Sequence, residues 1–438
     1  MAPKVEPVQS SGNLPVRTSV VVIGGGIAGT STAFFLAEKG IPTVLCEKGV
    51  VGGEQSSRNW GWTRVMGRDE REIPLGIESL KLWRRMNELT GEETGFDECG
   101  ITYLCDTPAQ LAEYEAWTQK AQPFQLHSKL LSAEDVKQLY PGLAKSYVGG
   151  LYTPSDGRAE PTMAAPAIAR GALALGATIM QGCAVRGIDT KGGRVCGVFT
   201  EMGRIECQSV VLAGGAWSRL FAGNLGIDLP QLKILGSVFR TAPIEGGPEV
   251  STGTAVFGIR KRADGGYTIS RRNASISVVT PDSFRLFGDF APTLIKSWKE
   301  LRIRLGNQFL VEWNTPRKWR MDEASPFETV RVLDPEPNAG MIDEAKRYVI
   351  EAFPVFKDMR ELERWGGLID VTPDAVPVIS AVDRVPGLFF QTGFSGHGFG
   401  IGPGGGKLMA DLVTGAPPVV DPTAYRLDRF ARSRRLAA

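Results

Sequence analysis

Gly24, Gly26 and Gly29 stand at G-x-G-x-x-G spacing, and Glu47 follows eighteen residues after the last of them. Residues 19–23 are apolar and β-branched, the composition of a strand buried in a parallel sheet. Residues 30–39 carry apolar side chains at helical spacing and stop at Gly40, a natural left-handed residue after a helix. Residues 41–46 then read as a second strand that Glu47 closes. Strand, glycine turn, helix, strand and terminal acid in this order are the parts of a dinucleotide site. Gly24 permits the tight turn, Gly26 lets the backbone approach a pyrophosphate, and Gly29 lets helix and strand pack closely. With Ile27 and Ala28 they set the N–H groups and partial positive charge of a helix start against phosphate. Glu47 accepts hydrogen bonds from both hydroxyls of an adenosine ribose, and its charge disfavours a 2′-phosphate; Lys48 beside it joins the same site.

The elements around this unit decide which dinucleotide it takes. An NAD fold would continue with alternating strands and helices, whereas residues 52–68 (GGEQSSRNWGWTRVMGR) are polar, aromatic and irregular. Within that block Gln55, Ser56, Ser57, Arg58, Asn59, Trp60 and Gly61 are expected against the cofactor. A second strand running into a glycine turn, SVVLAGGAW at 209–217, adds Ala213, Gly214 and Trp217. A third glycine-rich stretch from 387 to 406 adds Gly396, His397, Gly398, Phe399 and Gly400 before a helix over 407–413. Three separated glycine sites fit one long ligand threaded through discontinuous segments, which is FAD rather than NAD. The repeat at Gly400, Gly402 and Gly405 has no following strand and acid, so it makes no second nucleotide fold. Two readings of it stand: its N–H groups face the pyrimidine edge of a flavin, or its glycines let backbone pack closely on the cofactor.

Composition bounds the rest. The chain has 438 residues, 50 Lys+Arg against 48 Asp+Glu, 42% hydrophobic and 22% charged residues. This is a globular composition of two or three domains, without the basic excess of a nucleic-acid partner. Six scattered cysteines without a C-x-x-C pair, and two histidines, His127 and His397, indicate neither a disulfide framework nor a metal site. No stretch reads as a signal peptide or membrane span, so a cytoplasmic protein with a flexible tail over 1–18 is expected. The fold class that follows is α/β. A Rossmann-like FAD-binding domain of discontinuous segments (19–75, 149–225 and 346–438) accompanies an α+β substrate domain (76–148 and 226–345) with a mixed or antiparallel sheet. In the latter, residues 75–88 and 109–119 read as helices, Asp264-Gly-Gly as a hairpin turn, and 291–305 as a helical piece.

Thr372-Pro-Asp374 with Pro377, followed by Gly393-Phe-Ser-Gly-His-Gly-Phe399, resembles the D-amino-acid oxidase, glycine oxidase and sarcosine oxidase superfamily of flavoproteins. The order and spacing of the glycine sites match over nearly the whole chain. Within it, EQSSRNWGW at 54–62 and RWGGL at 364–368 resemble the bacterial L-amino-acid deaminases and related L-amino-acid oxidases. The resemblance implies oxidative deamination of L-amino acids to 2-oxo acids and ammonia, by hydride transfer from Cα to flavin N5. Two departures accompany it. Gly367 stands where monomeric sarcosine oxidases carry their flavin-linking cysteine, which implies non-covalent FAD. Gly400 stands where those oxidases carry a lysine associated with oxygen activation, so dioxygen and a quinone are both kept as electron acceptors.

An amino acid over a flavin needs a guanidinium for its carboxylate, because a bidentate pair orients the ligand and supplies charge-assisted hydrogen bonds. Strand alternation puts Arg260 and Arg262 on one face, away from Phe257 and Ile259. Arg260 is the first candidate, Arg64 and Arg68 in the irregular block the second, and Trp365 a wall of the pocket. Aromatic and apolar neighbours favour bulky neutral amino acids. D-amino acids, secondary amines and 2-hydroxy acids stay open on the same fold, and a non-catalytic flavin-binding protein is the alternative of another class. A homodimer is the base-rate expectation for assembly.

Overall fold

The computed structural model describes residues 3–296 and 301–430. Positions 1–2 and 431–438 of the expected segments, and 297–300 of the expected helix, lie outside the described residues. The dinucleotide unit forms as β1 (Val20–Ile23), α1 (Ile27–Glu38) and β2 (Thr43–Glu47). β1 pairs in parallel with β2, Ile23 opposite Cys46, and with Ser209–Leu212, Ile23 opposite Leu212. The six-stranded sheet runs Val378–Ala381, Leu388–Thr392, Ser209–Leu212, β1, β2, Thr178–Gln181, parallel throughout except at its first strand. Distant stretches of chain therefore end on one carboxyl edge, where open α/β sheets bind ligands.

Two expectations change here. Residues 3–18 are not loose. Ser11 N–H donates to the Ile179 carbonyl at 2.7 Å, Thr18 N–H to that of Glu206 at 2.8 Å, and Glu6 pairs with Arg170 at 2.9 Å. The strand Thr178–Gln181 is a sheet edge, and the N-terminal segment satisfies its open backbone groups. The C-terminal helix spans Gly398–Thr414 and so swallows the glycine repeat. Each glycine inside a helix costs about 1 kcal/mol, but contact repays it. A Cβ at Gly402 would stand 2.9 Å from Ile27, and one at Gly406 would overlap Ser31. The glycines at 402 and 406 thus admit α1, and a Cβ at Gly404 would come 2.8 Å from the Leu75 carbonyl of the helix Ile73–Thr90. At these three glycines the close packing is on neighbouring helices.

The second sheet has ten strands. Its order is Leu301–Arg304, Ser275–Val278, Leu232–Thr241, Tyr267–Arg271, Phe257–Lys261, Ser251–Gly253, Ile101–Cys105, Gly149–Thr153, Lys129–Ser132, with Glu361–Val371 also paired to Leu232–Thr241. It is mixed, parallel at Ser251–Gly253 with Ile101–Cys105 and at Ser275–Val278 with Leu301–Arg304. The hairpin around Asp264-Gly-Gly joins Phe257–Lys261 to Tyr267–Arg271. The expected segment boundaries shift accordingly. Gly149–Thr153 and Glu361–Val371 belong to this sheet, while Ile73–Thr90 packs on the glycine helix, with Ser79 Oγ and Trp83 Nε1 donating to the Gly400 carbonyl at 2.7 and 2.8 Å. The helix expected over 291–305 ends at Lys296, and Leu301–Arg304 is a strand. Among the described residues no helix is long and apolar enough to cross a membrane.

Candidate active site

At the carboxyl edge of the first sheet lies a cavity lined by Gly24, Gly26, Glu47, Lys48, Gln55, Ser56, Ala213, Gly214 and Trp217. The Ser56 hydroxyl accepts from Ile27 N–H at 2.8 Å, and a Cβ at Gly26 would reach within 3.0 Å of it. Ala28 and Gly29 lie buried in the first turn of α1. Glu47 accepts from Gly25 N–H at 2.6 Å and Gly49 N–H at 2.7 Å. Burial pushes its carboxyl up, and these two N–H groups act against that. Lys48 turns its ammonium to Glu54, at 2.6 Å, and to the Val330 and Arg331 carbonyls. Trp217 also donates to Glu54, at 3.0 Å. The wall formed by Phe327, Arg331 and Val332 was not foreseen, since those residues lie in a stretch expected in the other domain. No local pattern announces it: Glu54 simply accepts from Leu333 N–H, at 3.0 Å, across 279 positions.

The irregular block 55–61 is held by its own polar groups. Ser57 Oγ donates to the Glu54 carbonyl at 3.1 Å, and Asn59 accepts from Gly61 N–H at 2.7 Å while donating to the Ser56 carbonyl at 2.7 Å. Arg58, expected against cofactor, is buried and donates to the carbonyls of Gly366 (3.0 Å) and Gly53 (3.3 Å) and to Asp334 (3.1 Å). Its guanidinium ties the block to the strand Glu361–Val371. Trp365 is 2% exposed and donates its indole N–H to the Arg58 carbonyl at 3.0 Å. It backs an open cleft lined also by Asn59, Arg262 and Asp264.

Beyond Gly61 the chain carries a row of rings. Trp60 and Trp62 meet at 5.0 Å, Trp62 and Tyr103 at 6.1 Å, and Tyr103 and Tyr114 at 5.6 Å between centroids. Arginines gather on Tyr103, with Arg272 3.9 Å and Arg64 5.4 Å from the ring centroid. Arg64 is held by the Met66 carbonyl. Arg68 is different: it is 4% exposed, and its Nε and Nη1 are buried without any partner, as are the Tyr103 hydroxyl and Trp62 Nε1. Burial, with Arg64 adding like charge, pushes the Arg68 guanidinium down to about 9. Buried N–H donors without acceptors are costly, and Nε and Nη1 call for one even with the charges of Glu72 and Asp156 nearby.

Asp156 and Glu72 are the buried acids of this neighbourhood. Asp156 accepts from Val65 N–H at 2.9 Å and Met66 N–H at 3.2 Å, which fixes the turn carrying Arg64 and Arg68. Burial raises Asp156 from the ordinary 3.8 to about 6. Because the folded value lies above the ordinary one, this carboxyl's stabilisation is complete below 3.8 and is lost as pH rises through about 6. Difference infrared spectroscopy should show a carboxyl losing its proton near that pH, and the signal should vanish in Asp156→Asn. Glu72 lies 3.0 Å from His397 Nδ1. Burial works to raise Glu72, but His397 and Arg68 outweigh it and hold the carboxyl low. Burial and the charge of Arg68 push His397 down against the pull of Glu72. His397 precedes the glycine helix, next to Gly396, whose φ is +83°, and Gly398, where a Cβ would press on Phe394 at 2.9 Å. Phe399 packs on Trp83 at 5.3 Å, and Gly400 lies against the backbone of Trp62 to Arg64.

Arg260, the first candidate for a carboxylate, is not open to one. Its fork is closed on Glu160 at 2.7 and 3.2 Å, and it is 1% exposed. Alternation correctly separates it from Phe257, but its face of the strand is interior, not ligand-facing. Arg68 is the candidate with two guanidinium nitrogens left unpartnered, and Arg64 lies near it at Tyr103.

A family model described as FAD dependent oxidoreductase, DAO, matches residues 19–412. The chain belongs to this family. Similar solved structures include the L-amino acid deaminase of Proteus myxofaciens in complex with anthranilate, with 34% identity, a TM-score of 0.94 and 98% of each chain covered. The L-amino acid deaminase of Proteus vulgaris gives 29% identity and a TM-score of 0.92, over 96% of this chain and 99% of that one. Glycine oxidase of Pseudomonas putida is 25% identical over 93% of this chain and 97% of its own length. The 4-methylaminobutanoate oxidase of Paenarthrobacter nicotinovorans is 26% identical over 95% of this chain, which spans only 46% of that enzyme.

The DAO-family protein is thus an FAD-dependent oxidoreductase, and its cavity fits FAD. The start of α1, the bare Gly26 and the Glu47 oxygens suit pyrophosphate and ribose. Gln55 Oε1, in the cavity wall, is buried without a partner.

Proposed function

We propose that the protein oxidises the Cα–N bond of L-amino acids, and that the imino acid released takes up water to give a 2-oxo acid and ammonia. The observation that carries this reading is the buried Arg68 side chain, whose Nε and Nη1 lack partners, in the neighbourhood of the equally unpartnered Tyr103 hydroxyl. A substrate carboxylate supplies the anion these donors lack, and Arg64 and Arg272 add positive charge at Tyr103. The rings of Trp60, Trp62 and Tyr114 favour a bulky neutral side chain. FAD, held without a covalent bond by the α1 start, Glu47 and the wall of the cavity, would supply the hydride acceptor, with dioxygen as the final oxidant and hydrogen peroxide as its product. The chain's own contribution is alignment and electrostatics: Asp156 fixes the turn of Arg64 and Arg68, and the packed rings exclude water. The L-specific names of the two Proteus relatives support the choice of hand.

Anaerobic mixing of the yellow protein with L- and D-amino acids, glycine and sarcosine tests this. Bulky L enantiomers should bleach the flavin band, and air should restore it. Bleaching by D enantiomers or sarcosine alone would overturn the substrate assignment, and recovery only with a quinone would replace dioxygen as acceptor. Acid precipitation should release all FAD into the supernatant, because Gly367 offers no thiol; flavin retained in the pellet would contradict non-covalent binding.

A further inference from the structure

Glu160 precedes the helix Pro161–Ala174 in the first domain, yet its carboxylate lies in the second. One oxygen accepts from Arg260 Nη1 at 2.7 Å and from Ala263 N–H at 2.8 Å, and the other from Arg260 Nη2 at 3.2 Å. Thr268 accepts a further Nη2 bond at 3.2 Å. The pair is nearly dry, with Glu160 4% and Arg260 1% exposed. Arg260 Nε has no acceptor and lies against Gly61, where a Cβ would come within 2.8 Å. Two residues earlier on the same strand face, Gly258 receives the Trp60 ring, which a Cβ there would meet at 3.1 Å. Ala159 N–H donates to the Gly61 carbonyl at 2.8 Å. The segment from Trp60 to Trp62 is therefore held at Gly258, at Arg260 and at Ala159.

We propose that Glu160 is a positioning residue for substrate oxidation: by fixing Arg260 beneath Gly61 it sets the placement of the Trp60 and Trp62 rings. Arg260 acts through that segment and does not touch the substrate carboxylate. The catalytic part of this inference rests on the proposed amino-acid oxidation; the structural part does not. An ion pair this dry contributes little net stability compared with apolar side chains of similar size, so its removal as a pair spares the fold while losing the fixed geometry.

Three holoenzyme variants test it: Glu160→Gln, Glu160→Asp and the double variant Glu160→Met with Arg260→Met. The double variant should keep FAD and the wild-type unfolding temperature. In it and in Glu160→Gln, the limiting rate of flavin reduction by L-phenylalanine should fall about 10²-fold, the scale of a small misplacement, while the substrate Kd changes less than about threefold. Glu160→Asp should recover part of the rate. Hydrogen exchange at residues 60–62 should accelerate in Glu160→Gln. Loss of substrate affinity in the double variant but not in Glu160→Gln would return Arg260 to the carboxylate and overturn the proposal. So would unchanged exchange at 60–62. If no amino acid reduces the wild-type flavin, the exchange result still decides the structural part, so the two failures are separable.

Discussion

Arg68→Met should weaken L-amino-acid binding by about 10²- to 10³-fold while raising the unfolding temperature. The two effects have one cause. In the free protein the guanidinium is buried with Nε and Nη1 unpartnered, so its charge is a burden on the fold. A buried charge whose donors lack partners carries a desolvation penalty of several kcal/mol, and even a part of it relieved by an apolar side chain of similar volume moves unfolding by a few degrees in a protein of this size. Glu72 keeps His397 as its partner when Arg68 is gone. Once substrate arrives, the same guanidinium holds a carboxylate, and truncating one member of a buried charge pair costs about 2–5 kcal/mol of binding. Flavin content stays at the wild-type level, since Arg68 does not line the nucleotide cavity. Stopped-flow reduction and calorimetry on the same sample check both halves. Unchanged substrate affinity would remove Arg68 from the site, and a lowered unfolding temperature would show that another group already satisfies it.

Gly29→Ala should yield protein without bound FAD. The added Cβ would overlap the Gly24 carbonyl oxygen, so α1 cannot close on the turn that presents its N–H groups to the pyrophosphate. Overpacking of side chains alone costs about 1–3 kcal/mol, and here the obstacle is backbone, so affinity for FAD should fall by at least about tenfold. Gly223→Ala, where a Cβ meets nothing within 4 Å, is the matched control and should stay yellow. The ratio of flavin to protein absorbance reads the outcome; full occupancy in Gly29→Ala would contradict the role of the helix start.

The dinucleotide unit was legible because every part of it is local. A strand, a turn, a helix and an acid within about thirty residues leave their periods and turn residues in the sequence. The role of the glycines at 402 and 406 was not legible because they answer to Ile27 and Ser31, on another helix, rather than to a turn. The wall from Phe327 to Val332 and the placing of Gly149–Thr153 in the second sheet follow from pairings far apart in the chain, which leave no local trace. Arg260 shows the same limit in one side chain. Alternation found its face of the strand, but only the fold brings Glu160, 100 residues away, to occupy it. Arg64 and Arg68 stand in an irregular aromatic block that draws attention to them in the sequence, whereas the nearness of Arg272 to Tyr103 depends on pairings between distant strands and leaves no local signal.

The central claim is that Arg68 and its neighbours recognise a carboxylate next to the bond being oxidised. Anaerobic stopped-flow reduction by L-phenylalanine and by 2-phenylethylamine, the same amine without the carboxylate, tests it most directly in the wild type and in Arg68→Met. The wild-type flavin should be reduced by L-phenylalanine and remain oxidised with the amine at equal concentration, and Arg68→Met should lose most of that discrimination. Equal reduction by both compounds in the wild type, or discrimination unchanged in the variant, would contradict the account.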